Sequence, residues 1–474
     1  MSHSTLPGTG PWSWLEPGLW VYRSRELDLL GQADSLLADA APAGRAGGPA
    51  LLEAKRRLHA AGIGAATAPA AVGGGGHRYV VQVAIQFLAG YRDLNLRDAA
   101  HVGHGAVLCH DPEWHGRREL TEVIRGSLIG LAATEPAGEP DVAAVSTRAV
   151  RTASGWEISG LKAWVSRVLE ADAFVVFARS PEHLGAFYVP AGSPGLSAMP
   201  AGGPMPPVKP VPPAGPLPGG PVPPGGPTPA VAAVPAVGRV PGGGAVPAVG
   251  AAPVGGAALA GRWHQADRFG QSGWSWGRLT LDRVQVPVTS VLGASVGGVA
   301  VFRRHFAEYR PLVAATCLGA AAAAVDRWVE RMLAGTEYHD LPDAVVERLG
   351  DLRGRVLLAL GGLFTGAARP GGIDGSWSKM VKAQAVQTAI EVVRSVEHSM
   401  GSAGHGDPAD RDVADEAVAA VRRARRELGA FEEADGAPAP LLRSAGERFV
   451  QYSAAILDEI SEPTSTMPRP RLPE

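Results

Sequence analysis

The 474-residue sequence predicts an α+β chain in three parts: helical, then β, then helical again. Three observations predict it. Leucines recur at roughly helical spacing between about residues 24 and 125. Short β-rich runs bounded by Gly, Pro and Ser fill 131–200, and a further alternating run returns at 278–287. Helical periodicity then resumes near 298 and continues to about 460.

The N-terminal helical domain is expected over 1–130. Leu27, Leu29, Leu30, Leu36 and Leu37 form one helical set, and Leu51, Leu52 and Leu58 another. The run Gly73-Gly74-Gly75-Gly76 breaks the pattern before a helix-like stretch from Tyr79 to Tyr91. A glycine run before a helix can cradle phosphate, but no strand precedes it and no Walker lysine follows, so a plain loop is expected. The central β domain is expected over 131–297. Its strands are read at 150–158, 173–177, 185–189 and 278–287. Residues 199–262 interrupt it and are almost wholly Pro, Gly, Ala and Val, which forbids a regular helix or central strand and reads as a disordered or polyproline-like excursion. The C-terminal bundle is expected over 298–460, from a run carrying Phe302, Phe306 and Leu312 and four further candidate helices at 341–363, 377–400, 412–431 and 441–460. The tail from 461 is Pro-rich.

The formal net charge of -2 shows no bias toward polyanions, which argues against nucleic acid or an anionic membrane as partner. The two cysteines, Cys109 and Cys317, lie far apart and read as reduced thiols of a cytoplasmic protein. Met1 to Pro7 has neither a basic nor an apolar segment, so no signal peptide is expected. The longest apolar runs, such as Leu318 to Val325, are too short to span a bilayer. His101, His104, Cys109, His110, Asp111 and His115 cluster in sequence, but their spacing fits no zinc template, and no metal site is expected.

The chemistry concentrates between 130 and 166. Thr134-Glu135-Pro136 is followed by Asp141 and then by Gly160-Leu161-Lys162-Ala163-Trp164-Val165-Ser166. Read alone, Trp164 is a packing residue and Thr134 and Ser166 are turn residues. Together, the two blocks resemble the flavin-binding signature of the acyl-CoA dehydrogenase family. The resemblance implies FAD as cofactor, with Thr134 and Ser166 hydrogen-bonding the flavin ring and Trp164 packing on it. A flavin ring needs a few fixed polar partners at one edge and a flat apolar wall, so the residue types suit that role. Where the family writes Gly-Ser-Asp this chain has Glu139-Pro140-Asp141, and Pro140 offers the diphosphate neither a hydroxyl nor an N–H.

The family carries further blocks. Val286-Pro287 through Leu292-Gly293 resembles its strand ending Val-Pro-x-x-x-x-Leu-Gly, with Trp274 and Trp276 as additions that read as packing residues. Tyr309-Arg310 followed by small residues and Gly319 resembles its helix with Glu-Arg, in which one branch places the catalytic glutamate where Tyr309 stands. Glu308 is one residue earlier, about 100° round a helix, and is the nearest candidate base. Tyr309 is a candidate to donate a hydrogen bond to substrate. The common branch carries its glutamate in a Glu-Gly-Thr loop, and the nearest match, Asp435-Gly436, reads as a linker. Met400-Gly401-Ser402-Ala403-Gly404-His405 resembles the family turn that approaches the flavin of a neighbouring subunit, making Gly401 and Gly404 cofactor candidates; Arg331 is the candidate for the family arginine on the diphosphate.

The expected activity is oxidation of an acyl thioester, on coenzyme A or an acyl carrier protein, to the α,β-unsaturated form. Electron-transfer flavoprotein or oxygen would then be the acceptor, and a homodimer or homotetramer the assembly. Two alternatives stay open at this point: a flavin monooxygenase on the same fold, and a non-catalytic scaffold or partner subunit.

Overall fold

The computed structural model describes residues 9–136, 142–200, 273–334, 336–369, 372–402 and 411–461. Helices precede the sheet: α1 (Pro11–Leu15), α2 (Ser24–Ala46), α3 (Gly48–Ala60), α4 (Tyr79–Arg92), α5 (Ala106–Cys109) and α6 (Arg118–Ile124). The strands are β1 (Ile129–Ala132), β2 (Arg148–Arg151), β3 (Gly155–Ser166), β4 (Ala173–Arg179), β5 (Leu184–Pro190), β6 (Leu196–Pro200), β7 (Trp276–Pro287) and β8 (Val291–Leu292). Five helices follow: α7 (Gly298–Leu333), α8 (Asp343–Ala367), α9 (Gly375–Ser402), α10 (Arg411–Glu433) and α11 (Pro438–Ser461). The α+β order read from the sequence is the order observed.

The described strands form one sheet in the order β6-β7-β3-β2-β4-β5-β8, with β1 parallel beside β4. The alternating run read as a single strand over 150–158 is in fact two. Thr152 N–H donates to Gly155 O at 2.9 Å, closing a turn between β2 and β3. β6 and β7 pair antiparallel with Pro200 opposite Gly277, so these two residues lie side by side at one end of the strand pair. The residues expected as a Pro/Gly excursion lie almost wholly outside the described residues, as does the tail from 462.

Three buried apolar clusters form among the described residues. The largest joins α2, α3 and α4 to α7, α8, α9 and α10. At its centre α4 and α7 cross at unusually close range. A Cβ on Gly90 would sit 1.9 Å from Thr316 O, and one on Gly319 would sit 2.1 Å from Phe87 O. Only glycine at both positions lets the two backbones touch. Alanines at 314, 315 and 320–324 continue the small face of α7. This helix is long and apolar enough to cross a membrane, but 89% of its most apolar window is buried inside the protein, so it is the core helix of the bundle.

The sheet is pinned by a buried ion pair. Lys162 on β3 donates to Glu135 Oε1 at 2.9 Å, and Ser146 and Thr147 add backbone and hydroxyl donors to the same carboxylate. Burial would raise the Glu135 carboxyl, but Lys162 and these donors hold it down to about 2. Burial lowers the Lys162 ammonium to about 8, so the pair is ionised at neutral pH.

Gly90→Ala is expected to destabilise the fold by about 1–3 kcal/mol, the usual cost of overpacking. A urea midpoint unchanged from wild type would show that α4 and α7 do not depend on that contact. Because the folded-state value of Glu135 is depressed, its stabilisation is present above the unfolded carboxyl value and is lost as pH falls through the window down to about 2. The stability gap between wild type and Glu135→Gln should therefore be widest near neutral pH and close toward pH 2; a gap that stays constant contradicts the assignment.

Candidate active site

The two sequence blocks of the flavin signature meet at one edge of the sheet. Ala163 N–H donates to Thr134 O at 2.9 Å, which sets the exit of β1 beside the end of β3. Thr134 is exposed, Ser166 is buried, and Trp164 is half-buried between the buried Ala163 and Val165. Trp164 lies in the left-handed region, at φ 56, where the pairing of β3 with β7 shifts register between Lys162 and Val165. A bulky residue with positive φ at a bulge is strained, and such strain is retained where it re-aims a side chain. The Glu135–Lys162 pair supplies the rigidity that holds this edge in place.

Thr134, held beside Ala163, and Trp164 and Ser166 at the end of the same strand are residue types that suit the polar rim and flat wall of a flavin ring. Glu139, Pro140 and Asp141 lie outside the described residues, as does Gly404. Gly401, near the end of α9, is exposed beside Arg394, His398, Arg422 and Arg425, and a Cβ there would meet nothing within 4 Å. Arg331 is half-buried in the last turn of α7, about 33 Å along the helix from Tyr309 at 1.5 Å per residue. Within one chain, Arg331 is thus far from the Tyr309 end of the helix.

Glu308 and Tyr309 border a cleft of about 540 Å³ between the 67–80 loop, the 101–110 segment, α7 and the 367–373 segment. Glu308 is 30% exposed and its Oε2 is 2.6 Å from His110 Nε2, with Arg304 at 3.6 Å. Burial would raise this carboxyl, but the His110 hydrogen bond, then the charges of His110, Arg304 and His305, hold it below the ordinary carboxylate value. Its main-chain oxygen accepts the Tyr79 hydroxyl, which ties the turn to α4. Pro311 removes one backbone N–H from the same stretch of helix.

Tyr309 is buried, and its hydroxyl donates to Asp98 Oδ1 at 2.9 Å. Its proton is committed inside the protein, not offered to the cleft. Asp98 also accepts from Arg97 at 3.2 Å and from Arg167. Burial would raise the Asp98 carboxyl, yet the two guanidiniums hold it far below the ordinary range. Arg167 follows Ser166 directly, so this cluster links the flavin-signature edge of the sheet to the floor of the cleft. Lys55 Nζ donates to Asp98 O at 2.9 Å and His101 O at 2.7 Å, and burial pushes its ammonium down to about 7. The segment read as a linker, Asp435-Gly436, is a packed turn. Asp435 O accepts from Arg310 Nε at 2.8 Å, and its carboxylate is 3.5 Å from Arg97.

The sequence reading did not single out Lys55, Arg97, Asp98, Arg167 or His305. Arg97 and Asp98 left one signal, adjacent charges inside an otherwise apolar Leu/Ala stretch. His305 left none; its partner His104 is 201 positions away, at 2.8 Å. Among the described residues, no group of three or more His, Cys, Asp or Glu side chains is placed to hold a metal ion.

Known proteins match this architecture. The family described as acyl-CoA dehydrogenase, middle domain, matches residues 130–206. The mitochondrial short-chain specific acyl-CoA dehydrogenase of Rattus norvegicus is 34% identical over 99 residues, 20% of this chain and 24% of the rat protein. The alignment thus spans about a quarter of that relative's length. The glutaryl-CoA dehydrogenase of Mycobacterium smegmatis superposes with a TM-score of 0.67 at 16% identity, covering 93% of this chain and 98% of that one. A glutaryl-CoA dehydrogenase of the same organism in complex with FADH2 superposes with a TM-score of 0.66 at 15% identity, over 93% and 98% of the two chains. The middle-domain match lies over the signature carried on β1 and β3, and the fold around it is that of the solved acyl-CoA dehydrogenases.

Proposed function

We propose that this chain is an FAD-dependent oxidoreductase that oxidises an acyl thioester, on coenzyme A or an acyl carrier protein, to its α,β-unsaturated form. The observation that carries the reading is the meeting of Thr134, Trp164 and Ser166 at one sheet edge, with the indole held in a strained backbone conformation. FAD, when bound, supplies the acceptor for the hydride that leaves the β-carbon. Thr134 and Ser166 would hold the ring through their hydroxyls, and Trp164 would pack against it. Arg331 and Gly401 would serve the cofactor of a neighbouring subunit in a homodimer or homotetramer. Electron-transfer flavoprotein or oxygen would regenerate the oxidised cofactor.

Glu308 is the residue placed to take the α-proton. It faces the cleft, is ionised at neutral pH, and receives a hydrogen bond from His110 that fixes its orientation. The His110 hydrogen bond and the nearby cations keep the carboxylate deprotonated, in the form that can accept a proton, at some cost in basicity. His110 acts through Glu308 and is a positioning residue.

The purified protein is expected to show the visible and near-ultraviolet bands of bound oxidised flavin, and Trp164→Ala to lose most of the flavin on gel filtration. Protein that carries no flavin and takes up no added FAD would overturn the reading. Glu308→Gln should lower turnover about 10²–10⁴-fold with the bound-flavin spectrum unchanged; unaltered turnover removes Glu308 as base. His110→Ala takes away the largest influence lowering the Glu308 carboxyl, so the acid limb of kcat/KM against pH should move to higher pH. An unmoved limb contradicts the coupling.

A further inference from the structure

The apolar lining of the cleft, which includes Val80, Val102 and Leu312, is interrupted by imidazoles. His101 and His305 are both buried, and both line it. His101 Nδ1 accepts the Gly103 backbone N–H at 3.1 Å. A backbone N–H can only donate, so Nδ1 carries no proton. Burial, then the neighbouring Lys55, pushes the His101 ring down to about 3, so the ring is neutral at pH 7. A neutral imidazole with a bare Nδ1 must carry its proton on Nε2. That Nε2–H meets no protein acceptor among the described residues. His305 shares one hydrogen between its Nε2 and His104 Nδ1 at 2.8 Å, which leaves its Nδ1 without a protein partner among the described residues as well. The Tyr309 hydroxyl cannot substitute as donor, because its proton is on the bond to Asp98.

An unsubstituted alkyl tail laid over this floor would strip water from these ring nitrogens and offer nothing in return. Leaving a buried donor unmatched costs about 1–3 kcal/mol. A site built to hydrogen-bond a substrate discriminates strongly against an analogue lacking the partner, far more than an apolar pocket discriminates between chain lengths.

We propose that the cleft selects acyl thioesters whose acyl group carries an acceptor oxygen, with His101 as its donor, over unsubstituted acyl chains of equal length. This rests on the acyl-thioester reading of the same cleft. His101 is the specificity-determining residue, and Glu308 at the rim remains the base.

The test compares pentanoyl-CoA with its γ-oxo counterpart, levulinoyl-CoA, on the flavin-loaded protein. The oxo thioester should be favoured in kcat/KM by about tenfold or more, the effect of one satisfied donor. His101→Phe should bring the ratio close to one, and His101→Gln, which keeps an amide donor, should restore much of it. Equal use of both thioesters by the wild-type protein, or preference for pentanoyl-CoA, overturns the inference while leaving the oxidase or dehydrogenase reading intact. A His101→Phe protein that retains flavin and the wild-type ratio overturns it too. If neither thioester is oxidised nor perturbs the bound-flavin spectrum, the thioester reading fails and the inference falls with it. The wild-type ratio requires no variant, so a His101→Phe protein that fails to fold leaves the comparison decisive.

Discussion

The contact of α4 with α7 at Gly90 and Gly319 is the constraint on which the other features rest. Because each helix places a glycine at the crossing, backbone meets backbone. The pitch of α7 then carries His305, Glu308 and Tyr309 to the cleft, one turn apart, while the far end of the same helix carries Arg331. Tyr79 at the start of α4 closes the arrangement by donating to the Glu308 carbonyl. A larger residue at either glycine would separate the helices and move the proposed base and its positioning partner relative to one another.

A second constraint ties the sheet to the helices. The Glu135–Lys162 pair locks β1 to β3, and Arg167, immediately after the strand, reaches the helical layer to meet Asp98. Sheet and bundle are therefore joined by charge as well as by apolar packing. Breaking such a buried pair from one side leaves an uncompensated charge, which is why its members are costly to replace singly. The cluster also explains the unusual tyrosine at the position where one branch of the family carries glutamate. Tyr309 is a structural donor to Asp98, and the carboxylate that faces the cleft is supplied by the preceding residue.

Much of this was legible in the sequence, for reasons that are physical. Helix and strand periodicity follow from which faces are buried, so the order helical, β, helical could be read from Leu27 through Leu58, from the runs at 173–177 and 185–189, and from Phe302 onward. The signature was legible because its two blocks form one object: Glu135 and Lys162 are partners, and Thr134 and Ala163 share a hydrogen bond. The turn at 152–154 was missed because alternation continues through it. The floor of the cleft was not legible, since its pairs join distant positions, 69 apart for Asp98 and Arg167 and 201 apart for His104 and His305. The Asp435-Gly436 turn read as a linker because only the fold brings Arg97 and Arg310 to it.

The central claim is that a flavin seated against Thr134, Trp164 and Ser166 faces an acyl thioester whose α-proton Glu308 removes. The most direct measurement is anaerobic mixing of the flavin-loaded protein with an acyl thioester in a stopped-flow spectrophotometer. The account predicts loss of the oxidised-flavin absorbance in a single turnover, with formation of one equivalent of the α,β-unsaturated thioester. Oxidised bands that persist across thioesters of varied length and polarity, in protein shown to bind them, would contradict it.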